Sequence, residues 1–334
     1  VGMDIRETRK LTAFASQRLE NARDAGKIVL IFSAITLGSA ALVTLVNYLL
    51  SLQISRSGGL GNLGTRSTLS SVQTILPMLQ TLLVRCLTVG YLAAMLRLAR
   101  GQYASPHTLK LGFDRFWPLL RLTLIQGLIY TGIGFVSVYV SVMIFMITPL
   151  SRGVTELLLP LMQDASILNP GFVLDDALYS QLTAAMAPVF VLCAVVFCAA
   201  AMPVLYQYRM AEYVLIDHPE LGALAVLRES RNMMRRNRIN LFKLDLHLWW
   251  YYAAMILVNL LAYGDLLLGL FGISLPFSPD AAYYLFYALY LAGTFALYYF
   301  LRSHVEVTYA LAYDSLRPQQ APTSGAVLGN IFQM

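Results

Sequence analysis

Charge is scarce in this chain. Only 13% of its 334 residues are charged, 58% are hydrophobic, and the mean hydropathy is +0.63. Soluble domains carry about 25% charged residues, because polar groups must cover their surface. Half that share cannot clothe a water-soluble protein of this length, so an ordinary cytosolic enzyme is excluded. Disorder goes with it, since a disordered chain needs high charge and few apolar residues. Cysteine is scarce too. Cys86, Cys193 and Cys198 lie in apolar runs, no two form C-x-x-C, and three thiols cannot all pair. That excludes a disulfide scaffold; the three are read as small core residues without a metal or redox role. There are only four histidines. No H-E-x-x-H, G-x-S-x-G, P-loop or nucleotide-binding glycine run occurs. No catalytic residue, cofactor or metal is therefore assigned, and the chain is not expected to be an enzyme. What remains is a multi-span membrane protein.

Long apolar runs supply the spans. A bilayer core of ~30 Å takes ~20 helical residues at 1.5 Å each. Runs of that length lie near 28–53, 68–96, 122–149, 184–208, 241–264 and 281–301. The first is far longer than the ~7–15-residue core of a signal peptide and is expected to remain a membrane helix. The fold class is therefore all-α, a polytopic bundle of six transmembrane helices. Residues 1–27 form an amino-terminal amphipathic segment. Residues 28–316 form the membrane domain, and the Pro-, Gln- and Ser-rich 317–334 a mobile tail. Leu157–Met162 is expected as a short interfacial helix, and 266–277 as re-entrant or interfacial.

Two charged stretches are amphipathic. Asp4 with Glu7, and Asp217 with Glu220, have capping-box spacing. Leu11, Phe14, Ala15, Leu19 and Ala22 recur helically, which suggests a helix lying on the inner membrane surface. In 217–238, Leu221, Leu224, Leu227 and Met234 fall on one side, while Arg228, Arg231, Arg235, Arg236 and Arg238 dominate the rest. This arginine cluster suits anionic lipid or an acidic partner, or is simply a solvated loop.

Orientation follows from the cations. Of the 24 Lys and Arg, all but Arg56, Arg66, Arg85 and Arg152 lie in the amino segment, the second and fourth loops and the carboxyl end. Basic loops resist translocation. Both termini are therefore expected on the cytoplasmic side. The net charge of +6 reflects loops held against anionic lipid rather than a nucleic-acid partner. Tyrosine pairs at 283–284 and 298–299, ~22 Å apart along a helix, suit the two interfacial belts.

Few charges sit where topology does not explain them. Arg85 lies within span two. Counted from Arg97 it is ~18 Å deep, near the midplane, where it would need water, carbonyls or an anionic ligand. No acidic residue is expected at that depth. Alternatively span two ends at Val84, Arg85 snorkels to headgroups, and Cys86–Leu96 is a separate interfacial helix. Asp245 and His247 open span five, and His304 and Glu306 close span six. Neighbours two apart face opposite ways on a helix, so neither pair chelates alone; the two helices could share a site, or these residues lie at the inner interface as structural anchors. Arg209–Glu212 and Arg302–Glu306 have ion-pair spacing. Gly132 and Gly134 read as helix-packing positions.

Several stretches carry a resemblance. They are 208–217 (YRMAEYVLID), 225–234 (AVLRESRNMM), 240–246 (NLFKLDL) and 308–313 (TYALAY). To these are added Gly90-Tyr91-Leu92, Arg100-Gly101 and Gly112-Phe113. In that order the chain resembles the domain of unknown function 975 family over roughly 4–316. The resemblance implies a six-span protein of the bacterial cytoplasmic membrane. It has no established activity to transfer. Two functions are expected to compete: binding or transport of lipid or a small amphiphile, and a structural or regulatory subunit. Partners would be membrane lipids, another protein or a second copy of the chain.

Overall fold

The computed structural model describes residues 7–22, 24–56, 63–153, 155–157, 176–264, 268 and 279–317. The capping box at Asp4, most of the 152–176 loop and nearly all of 266–277 lie outside them. So does the tail beyond 317. Every regular element among the described residues is helical. In chain order they are α1 (Thr8–Glu20), α2 (Ala25–Arg56), α3 (Leu63–Ala99), α4 (Leu111–Asp114), α5 (Phe116–Ile147) and α6 (Asp176–Tyr208). Then come α7 (Ala211–Asp217), α8 (Ala223–Met234), α9 (Arg238–His247), α10 (Trp249–Leu261), α11 (Pro279–Leu297) and α12 (Ser303–Leu316). A 3₁₀ turn, Pro106–Lys110, precedes α4, and a π-helical turn, Tyr298–Arg302, joins α11 to α12.

Five helices are long and apolar enough to cross a membrane. A sixth crossing would need α9 and α10 together, and these bend by 66° at Leu248. The run expected as span five, 241–264, is interrupted by this bend. Neither Pro nor Gly stands at the break; Leu248 itself is buried and takes φ −92°, ψ 17°. Pro77 sits inside α3 without ending it.

The chain forms two compact units, residues 1–119 with 210–334, and residues 120–209. In the second, Phe145 of α5 packs on Val189 of α6, with Ala185, Met186, Leu192 and Cys193 around them. Many large apolar side chains there are exposed, as on a helix bathed in lipid. Gly134 faces the Phe197 ring, whereas Gly132 meets open space, so only one of the two is a packing position. Cys198 is exposed, not a core residue.

In the first unit the character of the helices changes along their length. Large apolar side chains are exposed on α3 as far as Leu83 and on the last span as far as Phe300. Beyond those points the surface closes. Cys86–Ala99 is buried except at Thr88 and Arg97, and Ser303–Tyr313 except at His304 and Glu306. These two segments, with α7 and the 106–114 stretch, make a protein core at the polar end. Cys86–Leu96 is thus neither a separate interfacial helix nor lipid-facing; it continues α3. Helix α1 packs on α12 with Leu11 and Ala15 fully buried. Its apolar face is covered by protein, which corrects the expectation that it lies on lipid.

Glycine permits the closest contacts of this core. A Cβ on Gly90 would stand 2.2 Å from Leu109 O, and one on Gly112 1.8 Å from Cys86 O. Backbone therefore touches backbone where α3 meets the 106–114 segment. Gly101, at φ +73°, ends α3. Its N–H donates to Leu98 O and that of Gln102 to Arg97 O, which satisfies the last turn's carbonyls in a Schellman motif.

Candidate functional site

Charged side chains gather in the first unit where the exposed apolar surface stops. Arg85 stands two residues beyond Leu83 and pairs with Glu212 of α7. The expectation that no acid reaches Arg85 is overturned. Its depth was counted from Arg97, but the last turns of α3 lie in protein core, so Arg85 meets the carboxylate of a neighbouring helix. Arg302, on the π turn, lies over the rings of Tyr298, Phe32 and Tyr91 at 4.4, 4.8 and 5.6 Å. Cation–π attraction is strongest for such desolvated guanidinium groups. Its Nε is 3.6 Å from Glu306 Oε1, the i,i+4 pair expected from spacing. The Tyr213 hydroxyl donates to Glu306 O and Oε2 at 3.4 and 3.5 Å. A π turn inserts one residue into the helical repeat, and this one carries Arg302 itself.

A second cluster locks the core shut. Arg100 forks onto Asp217 through Nη1 and Nη2 (2.8 and 2.6 Å) and onto Asp314 through Nε and Nη2 (3.1 and 2.7 Å). Tyr313 donates to Asp217 at 3.1 Å, and Arg317 lies 3.4 Å from it. The hydrogen bonds from Arg100 to Asp217 hold the guanidinium still more firmly protonated than usual. This corrects the capping box expected at Asp217. Helix α7 ends at that residue and α8 begins at Ala223 after Gly222. A carboxylate gripped by a two-point charged donor does not cap the next helix. Arg115 completes the arrangement by donating to the last carbonyls of α7, Leu215 O and Ile216 O, at 2.8 and 2.6 Å.

The remaining candidates meet at α9. Asp245 accepts from the hydroxyls of Tyr309 and Tyr252. His247 and His304 line one cavity of about 280 Å³ with Thr12, Ser16 and Trp250. Both helix ends thus line this cavity, and α1 supplies its other wall. His304 Nε2 is 3.1 Å from Thr12 O and 3.0 Å from Ser16 Oγ. A carbonyl only accepts, so Nε2 carries the hydrogen. His304 Nδ1 is buried without a hydrogen-bond partner among the described residues. Arg209 is half-buried in the turn after α6. Of the arginine cluster, Arg228, Arg231, Arg235 and Arg236 are exposed and Arg238 is half-buried. Leu224, expected inside, is exposed; Val226, Leu227, Ser230, Met233 and Met234 form the buried face of α8. Among the described residues no three His, Cys, Asp or Glu are grouped to hold a metal.

Sequence reasoning missed the Arg100 cluster and the aromatic bed of Arg302. Arg100-Gly101 was a visible signal, because a glycine after a helix marks its end and the preceding side chain sits at a core boundary. Nothing local pointed to Asp217 or Asp314 as partners.

These features define a multi-span helical membrane protein with a packed, internally paired polar end. Residues 8–319 match the family described as "Protein of unknown function (DUF975)", and the chain belongs to that family. No curated protein and no solved structure matches the chain.

Proposed function

We propose that this protein is a binding protein rather than an enzyme, and that it takes the polar headgroup of a lipid or small amphiphile in the cavity between His247, His304 and α1. One observation carries the reading. The cavity brings two imidazoles, two hydroxyls and an indole together beside Trp249, where exposed apolar surface gives way to core. At about 280 Å³ it is smaller than the ~300–1,000 Å³ of pockets that enclose whole drug-sized ligands. That size suits a headgroup whose tails remain in the bilayer. Native mass spectrometry of detergent-extracted protein tests it. Wild type should retain a lipid-sized adduct, and His304→Ala with His247→Ala should lose most of it. Equal retention by the double variant would remove the cavity from consideration.

The setting we propose is a bacterial cytoplasmic membrane with the polar end inside. The concentration of cations in the amino segment, the second and fourth loops and the carboxyl end supports that orientation. Alkaline phosphatase fused after Arg317 should be inactive, and fused after Arg152 active. The reverse pattern would invert the topology.

A second reading, a structural or regulatory subunit, is supported by the mutual pairing of Arg85, Arg100 and Arg302 with carboxylates. Charges satisfied in this way make a rigid platform.

A further inference from the structure

Helix α9 is apolar on two opposite sides. Leu241, Leu244 and Leu248 are buried in the core of the first unit. Ile239, Phe242, Leu246 and Trp249 follow one another at i, i+3, i+7 and i+10, and all are exposed. At 100° per residue Ile239, Phe242 and Leu246 keep within one stripe, roughly opposite Leu241 and Leu244, while Leu248 and Trp249 stand at the bend that follows. Ile239 is 70% and Leu246 62% exposed. Lys243 and His247 flank the stripe and are exposed as well.

The bend decides what this stripe meets. If α10 stands along the membrane normal, a helix bent 66° from it lies 90° less 66°, or about 24°, from the membrane plane. Helix α9 is then an elbow in the interface, not the first turns of a span. Trp249, at the corner, is the residue type that settles at that level.

The preceding helix supplies the charge. On α8 and its C-cap, Leu224, Arg228, Arg231 and Arg235 recur at i, i+4, i+7 and i+11, and all four are exposed. Arg236 follows them, also exposed, in the short turn before α9. No acidic residue lies between Arg231 and Lys243. An arginine ridge leading directly into an apolar interfacial stripe has the make-up of a surface for anionic lipid. The stripe enters the acyl boundary and guanidinium groups take phosphates.

We propose that α8 and α9 form such an elbow, docking the protein on acidic phospholipid at a surface that meets the histidine cavity only at the His247 end of α9. Two measurements on the full chain in nanodiscs test it. Nitroxides at Ile239→Cys and Leu246→Cys, in protein whose three native cysteines are alanine, report depth by collisional relaxation. The sites are ~10 Å apart along the helix. An in-plane elbow puts both in the shallow acyl region, about 4 Å apart in depth. A difference near ~10 Å would overturn the proposal, because α9 would then be part of a span. Water exposure of both labels would also overturn it, and would leave a protein partner as the occupant of the stripe.

The second measurement compares lipids retained from nanodiscs of mixed phosphatidylcholine and phosphatidylglycerol. Wild type should be enriched in phosphatidylglycerol. Replacing Arg228, Arg231 and Arg235 by Gln should reduce that enrichment by about tenfold or more, with the thermal midpoint in pure phosphatidylcholine unchanged. Inorganic phosphate should not compete. Enrichment that survives the triple replacement, or that phosphate abolishes, would overturn the proposal. His304→Ala, on α12 and outside the α8–α9 surface, should leave both results intact, so failure of the cavity reading and failure of this one are separable.

Discussion

Gly112→Ala is expected to destroy the folded core of the first unit. The added methyl would lie 1.8 Å from Cys86 O and 3.1 Å from Gly90 N. Both are backbone atoms of α3, so no side-chain rotation relieves the clash. The 106–114 segment would have to leave the helix, and Gly90 would lose its contact with Leu109 in the same movement. Overpacking in a core costs about 1–3 kcal/mol even where side chains can adjust. Here the loss should exceed that range, so little monodisperse protein should be recovered and its thermal midpoint should fall steeply. Gly26→Ala is the control. Its Cβ meets nothing within 4 Å, and a helical Gly→Ala exchange gains roughly 0.5–1 kcal/mol. If Gly112→Ala melted with wild type, the backbone contact described here would be wrong.

The second large effect is expected at Arg100. Its one guanidinium holds two carboxylates from α7 and α12, and the Asp217 side chain is only 9% exposed. Arg100→Met would leave Asp217 and Asp314 facing each other with only Arg317 and Tyr313 near the first. Removing one member of a largely buried ion pair typically costs ~3–5 kcal/mol, since the remaining charge keeps its desolvation penalty. Arg100→Lys should fall between, because an ammonium cannot reproduce the two-sided fork. Adding Asp217→Asn and Asp314→Asn to Arg100→Met should restore most of the stability, the groups being coupled. Thermal melts of the four proteins in one detergent decide it. A neutral Arg100→Met, or a triple variant no better than the single, would show the cluster to be incidental.

Both effects arise from contacts that no local pattern announces. Asp217 shows this well. Its spacing to Glu220 matches a capping box, and that local option lost to Arg100, 117 residues away. Arg85 shows the same from the other side. Counting residues from a span end gives depth only while the helix stays in lipid. Periodicity cannot tell a helix turn buried by lipid from one buried by protein, because both environments accept the same apolar residues. Hence Cys86–Ala99 could be read as membrane or interface, and α1 as lying on lipid. The bend at Leu248 was equally invisible, since no Pro or Gly marks it. That His247 and His304 could line one cavity was legible beside the reading of them as interface anchors, because both sit near corresponding ends of two spans. The wall contributed by Thr12 and Ser16 was not, because it depends on where α1 docks.

The sequence by itself determined the class of molecule, the placement of five long apolar helices, and the segregation of basic residues. Those follow from helix rise, bilayer thickness and the cost of charge in hydrocarbon, which act on each segment alone. Tertiary structure alone decided which charge meets which. It brought Glu212 to Arg85, divided Arg100 between two helices, and turned the start of the fifth apolar run into an elbow. Such pairings depend on backbones meeting across long stretches of chain, at contacts as close as those of Gly90 and Gly112.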